Sequence, residues 1–391
     1  MLPTGLINCT ALERVAFGTP TAKAVREEAE RVDAKRVFLL VSGTLDRETD
    51  EIDQVRNALG DRYAAFHDKI AAHTPRTDVI DAAAKARQAD TDLIVTIGGG
   101  SVTDAAKVIA VALKYGLETP ADLEPYHWTV NSDGSISKPD LRGPFVPQFA
   151  VPTTLSAGEF NALGGCTDTE KNVKEAYDHR ELTPRVVVLD PAITLHTPEW
   201  LWISTGIRSL DHALETLGAL SSNDYWDAAA ENAIKLLVEG LPRVKKDPSD
   251  LEGRLKCQMG SWLSMFSVVS GINLGASHAI GHVMGGAFNV PHGYTSCVMA
   301  PFVLRFNKPV NGERQKRIAA AFGRPGDDAG DAADDFITGL GMPRSLKEVG
   351  IGRDQLRALA EASMHDFWTR TNPRPLNSPD DVMEVLEMAA G

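Results

Sequence analysis

Four short β-branched runs punctuate the first half of the chain, and each closes on turn chemistry: "RVFLLVSG" (36–43), "DLIVTIGGGS" (92–101), "QFAVPTT" (148–154) and "RVVVLDP" (185–191). Their unbroken apolar character predicts strands covered on both faces. Between them, stretches such as "PTAKAVREEAERVDA" (20–34) and "TDVIDAAAKARQAD" (77–90) repeat apolar positions at the helical period. This alternation predicts a mainly parallel sheet with helices on its faces.

After Asp190-Pro191 strand-like runs nearly vanish, and amphipathic stretches continue to "DDVMEVLEMAAG" at the end. In "TGIRSLDHALETLGA" (205–219), Ile207, Leu210, Leu214 and Leu217 form one apolar stripe, while Arg208, His212 and Glu215 share another face. The predicted organisation is an α/β domain with a mainly parallel sheet over residues 1–189 and an all-helical domain over 190–391. The polar segment 126–145, "YHWTVNSDGSISKPDLRGPF", predicts a hairpin-like excursion within the first domain, turning at "SDGS". The sequence contains no internal repeat or low-complexity tract.

Composition narrows the partners. A chain of 391 residues, 43% hydrophobic and 24% charged, can bury a sizeable two-domain core. Its net charge of −13 disfavours nucleic acid and anionic membranes, and no Lys/Arg run offsets it. No window reaches the roughly 18 apolar residues that span a bilayer, and "MLPTGLINCTALERV" lacks the charged-then-apolar layout of a signal peptide. Cys9, Cys166, Cys257 and Cys297 are scattered without C-x-x-C spacing, which predicts reduced thiols in a soluble cytoplasmic protein.

"IGGGSVTDAAKVIA" (97–110) follows a predicted strand and opens a predicted helix. Glycines admit a phosphate close to the backbone, and the helix N-terminus favours its charge, so Gly99, Gly100, Ser101 and Val102 suit a pyrophosphate. A tight turn with no ligand fits the same residues, and the motif is neither G-x-G-x-x-G nor a P-loop. Both this turn and "VPTTLSAGE" sit beyond strand carboxyl ends, where open α/β sheets bind ligands. In the second half, "GASHAIGHVMGGAFNVPHG" (275–293) gathers His278, His282 and His292, three of the chain's ten histidines, among small and apolar residues. His278 and His282 are one helical turn apart. They suit a metal site, a proton-transfer site, or both. His67, His73, His127, His179, His196 and His365 take the ordinary structural reading.

Together "IGGGSVTDAAK", "VPTTLSAGEF", "TGIRSLDHALE", the histidine segment and "TNPRPL" resemble the iron-containing (group III) alcohol dehydrogenase superfamily over nearly the whole chain. That resemblance implies a nucleotide-binding α/β domain, a helical C-terminal domain, NAD(P)H as cofactor, hydride transfer in the interdomain cleft, and a homodimer. It assigns Gly99, Gly100, Ser101 and Val102 to the cofactor pyrophosphate, Thr153, Thr154 and Ser156 to the adenine and nicotinamide portions, and Lys174 to the cofactor ribose. His212, His278 and His292 match its metal ligands, and His282 its additional histidine beside substrate and nicotinamide.

Two departures redirect the reading. Metal-binding members carry an aspartate four residues before the first histidine; here that position is Arg208, a permanent cation with no lone pair to give a metal. Asp211 is a poor substitute, lying roughly 100° from His212 around an ideal helix. "PTTLSAGEF" also reaches Glu159 one residue sooner than P-T-T-A-G-T-G-S-E. These features and "NPRP" resemble the maleylacetate reductase branch, whose members reduce an unsaturated oxoacid with NADH or NADPH and do not require the metal. The excursion at 126–145 makes this chain longer than typical members of that branch.

A carbonyl receiving hydride develops negative charge on oxygen, which must be stabilised and then protonated. With iron or zinc predicted not to be required, Arg208 and the histidines supply the positive field, Arg208 anchors a substrate carboxylate, and His282 or His278 delivers the proton. The alternatives are a metal-dependent alcohol dehydrogenase using His212, His278 and His292, a glycerol dehydrogenase or dehydroquinate synthase relative, and a decayed cofactor-binding paralogue. Arg208 also fits a plain salt bridge to Glu215 or Asp211. Ser42 and Gly43 stand where NAD-preferring relatives carry an aspartate for the ribose 2′-hydroxyl, which permits NADPH; no arginine stands there to require it.

Overall fold

A computed structural model describes residues 6–131, 135–171 and 173–391. The chain divides into two units, one of Thr10–His196 and one of Thr197–Gly391 joined by the N-terminal segment up to Cys9. Asp190 Oδ2 accepts from Thr21 N at 2.7 Å and from Thr21 Oγ1 at 2.8 Å, which ties the following turn to the sheet unit.

The first unit contains strands β1 (Arg14–Phe17), β2 (Val37–Val41), β3 (Tyr63–His67), β4 (Leu93–Gly98), β5 (Thr129–Val130), β6 (Ile136–Ser137), β7 (Gln148–Pro152), β8 (Leu163–Asp168), β9 (Val173–Asp178) and β10 (Val186–Leu189). Its helices are α1 (Thr21–Arg31), α2 (Gly43–Glu48), α3 (Glu51–Leu59), α4 (Arg76–Gln88) and α5 (Gly100–Tyr115). Six strands form a fully parallel sheet in the order β1-β10-β7-β4-β2-β3. Alternation along β2 and β4 sends Phe38, Leu40 and Ile94 toward α4 and α5, and Val37, Leu39, Val41, Val95 and Ile97 toward α1 and α3. Each such side chain removed from water contributes about 1.5–3 kcal/mol, which explains the unbroken apolar runs.

Two strands of this sheet were not legible as apolar runs. β1, "RVAF", and β3, "YAAFH", are its edges and are only partly covered, so their sequences carry less hydrophobic signal. A β8–β9 antiparallel hairpin stands apart from the main sheet, with its glycines and charges masking the strand pattern. β5 and β6 pair antiparallel within the expected excursion; residues 132–134 of its turn lie outside the described residues. Trp128 N ties the excursion to the hairpin through Ala176 O at 2.8 Å.

The second unit contains α6 (Glu199–Gly218), α7 (Asp224–Lys246), α8 (Leu251–Ser270), α9 (Ala276–Phe288), α10 (His292–Ala321, bent at Asn311), α11 (Ala329–Gly339), α12 (Leu356–Ser363) and α13 (Pro379–Ala389). No described helix is long and apolar enough to cross a membrane. α6 packs against α7, α8 and α10. Its apolar stripe, Ile207, Leu210, Leu214 and Leu217, is buried as the periodicity requires. Its polar face is buried too, since Arg208, Asp211 and His212 are each at most 4% exposed. A helix sequestering ionisable groups on its second face needs partners for them, and those partners form the candidate site.

Candidate functional site

Arg208, Asp211, His212 and Glu215 follow i, i+3, i+4, i+7 spacing, so they line one side of α6. Arg208 Nη1 donates to Thr295 Oγ1 at 3.3 Å and to Ser296 Oγ at 3.2 Å, both in the first turns of α10. These hydroxyls hold the guanidinium, rather than the salt bridge to Glu215 or Asp211 open from sequence. α9 approaches so closely at Gly281 that a Cβ there would lie 2.8 Å from Thr295 Oγ1 and 3.4 Å from Arg208 Nη1. Burial pulls the Arg208 pKa down to about 10, opposed by Asp211, Glu215 and Asp366, so it stays cationic at neutral pH.

The two acidic residues turn toward His278. Ser277 Oγ donates to Asp211 Oδ2 at 2.6 Å, and His278 Nδ1 lies 3.4 Å from Asp211 Oδ2 and 2.7 Å from Glu215 Oε2. Glu215 also accepts from Gly275 N and Ser277 N, each at 2.9 Å, closing N–H groups at the start of α9 that lie outside its helical ladder. Burial holds both carboxyls above their ordinary range. His278 stacks on His212 with ring centroids 4.7 Å apart, and His278 Nε2 and His212 Nδ1 are buried without a hydrogen-bond partner. Burial, reinforced by the Arg208 cation, lowers both imidazoles well below their usual range and keeps them neutral.

Among the described residues, ligating atoms within 4.8 Å of one another occur in Asp211–Glu215–His278 and in Glu124–His127–Glu175, and not in the set His212, His278 and His292. The first cluster uses the Nδ1 edge of His278, already held by Glu215. With a buried guanidinium on the same helix face, the residues present do not fit a divalent ion held by the three histidines.

His282 differs from its neighbours in exposure, at 37% for the side chain. Its Nδ1 lies 2.9 Å from Asp366 Oδ2, while Asp366 Oδ1 accepts from Trp368 N at 2.9 Å. The Trp368 ring lies 4.9 Å from the His282 ring, and exposed His292 lies parallel at 6.1 Å. The sequence singled out neither Asp366 nor Trp368. Trp368 lies in a short 3₁₀ turn, Phe367–Thr371, and Asp366 is its N-cap, with no spacing relation to the histidines.

The expected cofactor residues gather in the sheet unit. Registers Val41↔Ile97 and Gly98↔Pro152 align the carboxyl ends of β2, β4 and β7. Ser42 N donates to Ile97 O at 2.8 Å and Thr153 N to Gly98 O at 3.0 Å. A Cβ on Gly99 would sit 3.3 Å from Thr154 Cγ2, and one on Gly100 3.2 Å from Ser156 Oγ, so the glycine turn and the Thr-Ser loop face one another. Thr154 Oγ1 and Ser156 Oγ are 3.0 Å apart. Val102 N turns back to Gly99 O at 3.1 Å in the first turn of α5. Lys107, fully buried on α5, donates to Gly158 O and Leu163 O, both at 2.8 Å, and to Asn161 Oδ1 at 3.0 Å. It fastens that loop to the glycine helix, a role no motif advertised.

Lys174 lies on β9 opposite Thr167, and its Nζ comes within 3.3 Å of a Cβ built on Gly165, whose other neighbour is Asp104 of α5. Buried Arg76 holds the hairpin from behind, donating Nε to Glu175 Oε2 and Nη2 to Glu124 Oε2, both at 2.8 Å. Arg47 was also missed: from the last turn of α2 its guanidinium folds back over Gly43, so an arginine does reach the strand end where sequence shows none.

The chain thus joins a parallel-sheet unit carrying a glycine turn to a helical unit with a buried arginine–histidine face. The chain belongs to the iron-containing alcohol dehydrogenase family: residues 13–191 match "Iron-containing alcohol dehydrogenase" and residues 202–390 "Fe-containing alcohol dehydrogenase family, C-terminal". It is an NAD(P)-dependent oxidoreductase of that family. It is 32% identical over 388 residues to Dehydrogenase ALT3 of Alternaria alternata, covering 90% of this chain and 98% of that one. It is 28% identical over 376 residues to the maleylacetate reductase of Sphingobium indicum, covering 96% and 95%. The crystal structure of maleylacetate reductase from Agrobacterium tumefaciens superposes with TM-score 0.83 at 26% identity, covering 100% of this chain and 99% of that one.

Proposed function

We propose that this enzyme reduces the carbonyl or activated double bond of an oxoacid with NAD(P)H, in the manner of a maleylacetate reductase, without a catalytic metal. The observation that carries the reading is Arg208, a buried cation at the position where metal-binding relatives carry a carboxylate, held by two neutral hydroxyls. Its hydrogen bonds use Nη1, which leaves guanidinium donors for a substrate carboxylate or for the oxyanion that develops as hydride arrives. His282 is the preferred proton donor. It exchanges with solvent through its exposed edge and is oriented by Asp366, whereas burial keeps His278 neutral.

Bound NAD(P)H would supply the hydride; His282 gives a proton to the developing anion and takes one back from water. Gly99, Gly100, Ser101, Val102, Thr153, Thr154, Ser156 and Lys174 hold the cofactor in this reading, and the protein works as a cytoplasmic homodimer. The test is turnover of maleylacetate after exhaustive chelation of protein purified without added metal. Undiminished activity is expected; inactivation reversed only by iron or zinc overturns the reading in favour of a metal-dependent alcohol dehydrogenase.

A further inference from the structure

Arg47 and Gly43 occupy one another's space. A Cβ built on Gly43 would stand 2.6 Å from Arg47 Nη1 and 2.6 Å from the Asp68 carbonyl oxygen. Gly43 is therefore required by close approach, because the Asp68 backbone carbonyl cannot give way to a Cβ, whereas the exposed Arg47 guanidinium can move. A carboxylate at this position is excluded sterically, and a cation takes the place it would fill.

The location gives that cation a purpose. Ser42 follows the last residue of β2, and its Cβ lies 3.4 Å from a Cβ built on Gly98, the residue that leads into the glycine turn. Arg47 thus stands on the rim that carries the proposed pyrophosphate residues. Its side chain is 63% exposed, and its ion pair is a long one, 3.9 Å from Nη1 to Asp68 Oδ2. Most of the guanidinium's donors remain open to an incoming anion.

We propose that Arg47 is the ligand for the 2′-phosphate on the cofactor's adenosine ribose, and that the enzyme selects NADPH over NADH. An acidic side chain at a strand end accepts from a ribose 2′-hydroxyl and repels a 2′-phosphate; an arginine reverses that preference. A guanidinium meets a phosphate through paired N–H donors, and the phosphate offers more charge and more acceptor oxygens than Asp68 at its present distance. The phosphate therefore displaces Asp68 as the partner of Arg47. This inference rests on the reading that the sheet unit binds a nicotinamide dinucleotide.

The experiment measures binding of adenosine 2′,5′-bisphosphate and of adenosine 5′-monophosphate to the intact protein by calorimetry, alongside kcat/KM for NADPH and NADH. The wild type is expected to favour the 2′-phosphorylated nucleotide by about 10- to 100-fold, as the loss of one charge-assisted contact predicts. Arg47→Gln should abolish that preference, while Arg47→Lys retains part of it. Equal affinities in the wild type, or a preference that survives Arg47→Gln, overturns the assignment. So does an NADH preference abolished by Asp68→Asn, which would make Asp68 a 2′-hydroxyl acceptor. Binding of the monophosphate without a 2′-phosphate preference sinks this inference alone; binding of neither nucleotide with no turnover of either cofactor sinks the dinucleotide reading as well.

Discussion

Glu215 Oε2 stands 2.7 Å from His278 Nδ1, and the same carboxylate accepts Gly275 N and Ser277 N, so one side chain on α6 fixes both the start of α9 and the ring it carries. His278 is completely buried, with Nε2 left unpartnered on the opposite edge of its ring. The imidazole's orientation is thus set by Glu215 and Asp211.

Removing that carboxylate should cost stability before it costs chemistry. Glu215→Ala leaves two N–H groups and a ring nitrogen unsatisfied in a dry interior, at about 1–3 kcal/mol for each group. Glu215→Gln retains an acceptor oxygen and should lose less. Thermal melts of both variants beside wild type check this; an unchanged melting temperature for Glu215→Ala would contradict the assigned role.

Arg208→Ala should lower kcat/KM for an oxoacid by about 100-fold, in keeping with the loss of a charge-assisted contact. Arg208→Lys keeps the charge without the fork and should fall between. An uncharged aldehyde of similar size should suffer less, so the ratio of the two substrates' kcat/KM values reports whether Arg208 meets a carboxylate.

His282→Ala is expected to reduce kcat by about 100-fold or more, the usual scale of a positioned proton donor, with a smaller effect on KM. Asp366→Asn should give a milder loss of about 10-fold with the same signature, because Asp366 reaches the chemistry through His282, whose Nδ1 it holds at 2.9 Å. Steady-state kinetics with saturating cofactor separate the two parameters; an Asp366→Asn variant altered in KM alone would refute the positioning role.

Glu159 offers a stability test by pH. Burial pushes its carboxyl up to about 7 from the ordinary glutamate value of 4.5. The unfolded chain ionises first as pH rises, so Glu159's contribution is complete below about pH 4.5 and is lost as pH climbs to about 7. The difference, on the order of 3 kcal/mol, disappears in Glu159→Gln. Wild type should therefore lose stability relative to the variant between those two values and hold a constant gap above them. Denaturant melts across that range decide it.

The apolar runs 36–43, 92–101, 148–154 and 185–191 were sufficient to read β2, β4, β7 and β10, because strands covered on both faces must be apolar throughout. β1 and β3 escaped because an edge strand is half-solvated. In the helical half, periodicity identified the α6 stripe and grouped Arg208, His212 and Glu215 on a second face. Helical spacing carries that information within one element. It does not tell a solvated polar face from a buried one, and here burial turned four ionisable side chains into a connected site.

The sequence alone determined the α/β-then-helical order, the glycine turn at a strand end, and the placement of Arg208 one helical turn before His212, since each is a property of local spacing or residue identity. Only the tertiary structure decided who meets whom across distant segments. Thr295 and Ser296 hold Arg208, Asp366 orients His282, Lys107 pins the loop around Gly158, and Arg47 shields Gly43. Those contacts depend on helix packing and side-chain direction in three dimensions, and a one-dimensional pattern does not encode the burial that makes them necessary.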